Sequence, residues 1–351
     1  MGRRARLKYT IYLLFSVGVT VVVLTYLFSQ VHPAEVLRMG MGLRREGLIA
    51  FLACSLAMSI CRLWRYEILL RVSGFNPPRF SLFLVVLVRN FFSDLLPARL
   101  GTAIYVYLVT TRLGVTFSAA ASSFAASLLL DILAMAPLVA LAVWLLGGAV
   151  AGGAAALWAG VLMLAVVTVS AWALLPHALG WAARCMLARS GLRRRAWARG
   201  LLMAALGIRR ELGRIRTAGI YGRVFVLSLL IRIGKYAGMY FLLWALLAPK
   251  GYGFAQLPPA KIFMGLTAAE LAASTPVSGV AAIGAYEGAW AMAFQLLGFP
   301  VDIAQLSSLA HHAITQLFGY GVGLLAMLLL LLPRFAVAST HAMPAAGPGS
   351  E

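Results

Sequence analysis

Ser93-Asp94-Leu95-Leu96-Pro97-Ala98-Arg99-Leu100-Gly101 interrupts an apolar run of about 80–113, and Ser274-Thr275-Pro276-Val277-Ser278-Gly279 interrupts another of about 259–299. Each break sets helix-stopping Pro and Gly beside polar side chains. In hydrocarbon, non-helical backbone persists only where protein or a water-filled cavity satisfies its N–H and C=O groups. Two broken segments at corresponding places in two halves of a chain point to a midplane binding site.

The composition around the breaks agrees. Of 351 residues, 62% are hydrophobic and 11% charged. A soluble domain carries about a quarter charged residues, so a helical membrane bundle is the economical explanation. The 30 Lys and Arg against 10 Asp and Glu give a net charge of +20. The arginines lie in loops between apolar segments, which signals orientation and contact with anionic lipid, not nucleic-acid binding. Cys54, Cys61 and Cys185 lack metal-ligand spacing, so neither a disulfide framework nor a metal site is expected. The run from Tyr9 to Phe28 is too long for a signal-peptide core and reads as an uncleaved first span.

Six segments are long and apolar enough to cross: about 9–30, 47–70, 116–146, 153–175, 224–248 and 303–332. Arg3, Arg4, Arg6 and Lys8 predict a cytoplasmic N-terminus, and Arg71 and Arg79 return to that side. The stretch 176–223, with eleven arginines (184, 189, 193, 194, 195, 199, 209, 210, 214, 216 and 223), is placed inside as well. Segment 80–113 must then enter and leave from the cytoplasmic side, and 259–299 from the outer side. The expected fold is an all-α polytopic membrane protein with about six full spans and two re-entrant or broken helical hairpins. Units 47–146 and 224–332 form an inverted-topology repeat. Short full crossings in each hairpin would leave the loop sides unchanged. Residues 1–335 form one membrane domain and 336–351 a disordered tail. Arg38, Arg44 and Arg45 on the outer side depart from the charge rule. Leu201, Ala205, Ile208, Leu212 and Ile215 share one helical face, predicting an amphipathic helix on the inner leaflet.

Ionisable groups inside spans are functional candidates by default. Arg99 follows Pro97 where a half-helix begins, and free N–H groups with a guanidinium favour a phosphate-like anion there. Alternatively, Arg89 or Arg99 pairs with Asp94 and closes the tip. Arg62 and Arg65 share a face, as do Arg232 and Lys235, and together they suggest the basic wall of a vestibule. Arg65 suits snorkelling to headgroups best. Asp131, Glu270 and Glu287 either neutralise these cations or hold a transported proton. His311 and His312 point to different faces, which suits hydrogen-bonded packing, or a relay, better than a metal. Gly101, Gly279 and Gly284 punctuate the breaks.

Asn90 through Gly101 with Asp131, the Arg62-Leu63-Trp64-Arg65 segment, and Ser274 through Gly279 followed by Gly284-Ala285-Tyr286-Glu287 resemble the transmembrane region of lysylphosphatidylglycerol synthases and its stand-alone bacterial and archaeal relatives. The resemblance implies a flippase-like membrane domain. Where that family often has Gly-Glu-x-x-Arg after the first break, this chain has Gly101-Thr102-Ala103-Ile104-Tyr105. The missing charges weaken transfer of an aminoacylated-lipid cargo. Only a short tail follows Pro333, so aminoacyl transfer is not expected.

Protease, hydrolase and P-loop motifs are lacking, and neither an enzyme nor a cofactor is expected. The expected function is an inner-membrane lipid translocase for an anionic or phosphate-bearing lipid. Its substrate site is drawn from Arg89, Asp94, Pro97, Arg99, Arg232, Lys235, Pro276 and Glu287. Asp131, Glu270, Gly101, Gly279 and Gly284 serve structure or coupling. Alternatives are a non-transporting partner of a lipid- or glycan-modifying enzyme and an ion-coupled carrier of a small anion. Expected partners are anionic membrane lipids, with a second copy or a lipid-modifying enzyme as further candidates.

Overall fold

The computed structural model describes residues 25, 33–95, 103–146, 154–188, 196–274 and 283–332. The expected first span, Pro97, Arg99, Gly101, Pro276, Gly279 and the tail lie outside the described residues, apart from residue 25 of that span. The described chain is helical, without strands. In order the helices are α1 (Pro33–Met41), α2 (Arg45–Val72), α3 (Arg79–Leu95), α4 (Ala103–Leu113), α5 (Phe117–Leu133), α6 (Met135–Leu146), α7 (Ala154–Ala188), α8 (Ala196–Thr217), α9 (Tyr221–Leu247), α10 (Pro259–Ala273), α11 (Ala285–Leu296) and α12 (Val301–Leu331).

Five helical stretches among the described residues are long and apolar enough to span: α2, α5 with α6, α7, α9 and α12. The α5–α6 stretch is interrupted at Ala134, where Pro137 lacks the N–H that would bond the Leu133 carbonyl. The arms of the two broken segments are shorter. Helices α3, α4, α10 and α11 hold 17, 11, 15 and 12 residues, or about 16 to 26 Å at 1.5 Å per residue. Each falls short of a hydrocarbon core of about 30 Å. Each pair packs arm against arm, α3 on α4 and α10 on α11.

Helices α2 and α9 form the central pair and run antiparallel. The Arg44 N–H donates to the Ala245 carbonyl at 2.9 Å. Gly238 faces Phe51 and Cys54, and Gly234 faces Cys54 and Met58. Further on, Arg65 meets Ser228. Small residues let two backbones approach without a hydrophobic drive from water. Around this pair the contacts are reciprocal. Helix α3, from the first broken segment, packs on α12, and α10, from the second, packs on α6. The α3–α12 approach is set by Gly319 and Gly323, four residues apart on one face. A Cβ on Gly323 would come within 2.2 Å of the Phe91 Cβ.

Two boundaries differ from the sequence reading. The span expected over 153–175 continues to Ala188 through Pro176. Its Trp158 and Trp181 are 44% and 65% exposed and stand about 35 Å apart along the axis, a separation suited to two aromatic belts. Helix α8 docks on α5 and α7 instead of presenting its whole apolar face to a leaflet. Leu212 and Ile215 are buried while Leu201 stays exposed.

The glycine contacts yield a graded expectation. Gly323→Ala should destabilise by about 1–3 kcal/mol through overpacking. Gly234→Ala, whose Cβ would meet neighbours at ordinary 3.5 Å separations, should stay within about 0.5 kcal/mol. Thermal unfolding of the two variants in one detergent checks the order, and equal losses contradict the packing described.

Candidate functional site

Two groups stand out among the polar side chains buried in the bundle. The first lies where α2, α3, α5 and α9 meet and is rich in arginine. Arg65 has no exposed surface. It grips both carboxylate oxygens of Asp131, donating from Nη1 to Oδ1 and from Nη2 to Oδ2, the latter at 3.1 Å. Its Nη1 also donates to Ser228 Oγ at 2.8 Å. Arg232 Nε donates to the Asp131 backbone carbonyl at 3.2 Å. One turn from Arg65, the buried Arg62 donates from Nη1 to Asn90 Oδ1, and Arg89 donates from Nη1 to the same oxygen at 3.3 Å. The Nε atoms of Arg62, Arg65 and Arg89 are buried without a hydrogen-bond partner.

The electrostatics of this group are lopsided. Arg65 holds the Asp131 carboxylate and Arg232 its backbone carbonyl, whereas Arg62 and Arg89 converge on a neutral amide oxygen. Bringing an ion out of water costs several kcal/mol unless paired charges and hydrogen bonds offset it. Arg65 has that compensation, whereas among the described residues the partner of Arg62 and Arg89 is a neutral amide. An anion beside Asn90 would supply it, and guanidinium N–H groups are shaped for phosphate or carboxylate oxygens.

The second group lies among α9, α10, α11 and α12. Tyr236 donates its hydroxyl to Glu270 Oε2 at 2.9 Å, and Lys235 pairs with Glu270 Oε1. Helix α11 starts at Gly284, whose φ of +94° suits a residue without Cβ. The Gly284 N–H donates to Glu287 Oε2 at 2.7 Å, a carboxylate cap on the helix N-terminus. The other Glu287 oxygen pairs with His312 Nδ1. His311 Nε2–H donates to the Met239 carbonyl at 3.1 Å, and its ring packs on Trp290.

Several expectations change. Arg65, for which snorkelling is the sequence-based alternative to a vestibule wall, is the most deeply held cation of the first group, because the antiparallel α2–α9 pair encloses it. Arg232 joins Arg62, Arg65 and Arg89, whereas Lys235 turns to the second group. The wall suggested for all four thus divides between two sites. Asp94 lies near Gly319 of α12, while Arg89 turns to Asn90. Glu287 has both oxygens engaged and acts first as a helix cap. Asn90 and Ser228 escaped the sequence reading because uncharged residues give no signal in a span. Glu67 escaped it too. It takes Arg71 and Arg79 on one oxygen and so ties the end of α2 to the start of α3. Its placement four residues before Arg71 was the available clue.

Asp131→Asn leaves Arg65 buried without its counter-charge and should destabilise by about 3–5 kcal/mol. An Arg65→Met, Asp131→Leu double variant should recover most of that loss. Thermal unfolding of the purified variants measures both, and an unaffected Asp131→Asn protein contradicts the pairing.

Comparison with known proteins bears on this arrangement. A search of curated proteins returns no match. The family model described as the lysylphosphatidylglycerol synthase transmembrane region matches residues 13–323. That match takes in both broken segments and every residue of the two buried groups, and the family suggests a function concerned with membrane lipid. This multi-pass membrane chain belongs to the lysylphosphatidylglycerol synthase transmembrane-region family.

Proposed function

We propose that the protein is a lipid translocase that carries an anionic or phosphate-bearing lipid across the cytoplasmic membrane of a bacterium or archaeon, without catalysing a covalent reaction. The observation carrying this reading is the convergence of Arg62 and Arg89 on the neutral Asn90 oxygen. It offers cationic donors at a partly buried position between helices. A headgroup phosphate bound there would draw on Arg62, Arg89 and Arg232, while acyl or prenyl chains stay beside the short arms in lipid. The antiparallel α2–α9 pair and the reciprocal packing of α3 on α12 and α10 on α6 support an inverted repeat. In such a repeat, rocking one unit against the other exposes a midplane site alternately to each side. The basic face of α8, with Arg209, Arg210, Arg214 and Arg216, supports a cytoplasmic location for the end of the bundle nearer the arginine group.

Reconstitution tests the assignment. Wild-type protein in phosphatidylcholine vesicles should expose acyl-NBD phosphatidylglycerol to external dithionite faster than protein-free vesicles do. An Arg62→Ala, Arg89→Ala variant should lose at least about tenfold in rate, the equivalent of 1.4 kcal/mol, while Arg209→Ala, Arg210→Ala retains it. Wild-type rates from the first variant would sink the site. Absence of lipid movement by wild type would favour a non-transporting partner, and phosphate uptake independent of lipid a small-anion carrier.

A further inference from the structure

We propose that the Glu287–His312 pair is a proton-binding site that couples lipid movement to a proton gradient; the coupling rests on the translocase reading, the proton site does not. The pair links the start of α11, just after the second break, to the middle of α12. Both residues are buried, with 4% and 5% of their surface exposed. His312 Nδ1 faces Glu287 Oε1, and the Gln316 side-chain amide lies 2.7 Å from His312 Nε2. The other Glu287 oxygen takes the Gly284 N–H. The ring of Tyr286 covers the imidazole at a centroid separation of 4.5 Å.

This geometry serves two protonation states. With His312 neutral, Nδ1–H donates to the Glu287 carboxylate and Nε2 accepts from the Gln316 amide N–H. With His312 protonated, Nε2–H donates to the Gln316 carbonyl oxygen after a half-turn of the amide, and the carboxylate faces an imidazolium. The step takes one proton from hydronium, breaking one O–H bond and leaving water, and forms one N–H bond at Nε2. It breaks no bond in the protein. In the first state the pair carries one negative charge, held by the capping N–H at the α11 N-terminus. In the second the pair is neutral overall.

The surroundings leave this charge to the pair itself. On α9, Lys235 is matched with Glu270 of α10, and Tyr236 donates to Glu270 as well. Within α12, His311 is engaged by the Met239 carbonyl and Trp290. Tyr286 is the ionisable neighbour on α11. From α3, Asp94 approaches α12 at Gly319, two turns further along. From α1, Glu35 and Arg38 line a pocket with Leu306 of α12. Among the described residues Glu287 meets the Gly284 N–H and His312, which leaves a proton on the pair as the charge that neutralises it. Arginines that attract a headgroup anion are gathered around the other broken segment. A lipid anion there and a proton at Glu287–His312 would move as a neutral sum, which removes the cost of carrying net charge against the membrane potential.

Two measurements decide the proposal. The first needs no lipid cargo. In detergent-solubilised full-length protein labelled with ¹³C at histidine Cε1, one resonance titrates with pH, disappears in His312→Asn and shifts its midpoint in Glu287→Gln. A His312 resonance flat across the range in which the protein stays folded overturns the proton site. The second uses phosphatidylcholine vesicles carrying a trace of acyl-NBD phosphatidylglycerol, with valinomycin and equal potassium holding the membrane potential at zero. A one-unit pH gradient should displace the probe toward the leaflet on the alkaline side, by up to about tenfold for one proton per lipid. In either variant that displacement should vanish. Wild type that moves the probe but ignores the gradient overturns the coupling alone. Wild type that moves no probe overturns the translocase reading and the coupling with it, while the histidine titration still decides the proton site.

Discussion

A guanidinium with no exposed surface, clasped by Asp131 and Ser228, is the constraint around which the centre of this bundle is arranged. Arg65 joins three helices that are far apart in sequence: α2, α5 and α9. Its position leaves little freedom. Removing either charge strands the other in a medium where an unpaired ion costs several kcal/mol. The same pair places Asp131 so that its backbone carbonyl reaches Arg232. Asn90, with Arg62 and Arg89, stands beside this anchored core. One arginine is thus structural, and its neighbours are held near it without equivalent compensation.

The framework is reciprocal, but the chemistry on it is not. Each broken segment packs its first arm against the last span of the opposite unit. The polar group beside the first broken segment is rich in arginine and asparagine, and the group beside the second in glutamate, histidine and tyrosine. Backbone packing of this kind depends on small residues at the crossings, such as Gly234, Gly238 and Gly323. It tolerates different polar side chains at related places. Such a framework can therefore hold guanidiniums beside one broken segment and a carboxylate–imidazole contact beside the other.

Caps and kinks determine where these groups lie. Gly284 adopts a backbone conformation that other residues avoid, and the Glu287 carboxylate closes the first turn of α11 over it. That cap orients the second oxygen toward α12. On the other side, Glu67 binds Arg71 and Arg79 together and fixes how α3 leaves α2, hence where Arg89 and Asn90 arrive.

The sequence by itself determined the class of fold. Long apolar runs cannot be covered in water, Pro and Gly within two of them cannot continue a helix, and arginine placement restricts which loops share a side. The spans 47–70, 116–146, 224–248 and 303–332 were legible for those reasons, and so were the shorter helices described within 80–113 and 259–299. Which ionisable residues meet was decided only by tertiary structure. Arg62, Arg65, Arg232 and Lys235 look alike along the chain, with the same spacing and similar depth. The antiparallel register of α2 against α9 buries Arg65 on Asp131, leaves Arg62 facing Asn90, and sends Lys235 to Glu270. Periodicity reports the face of one helix; the identity of a partner depends on the rotation and offset between two, which no local pattern encodes.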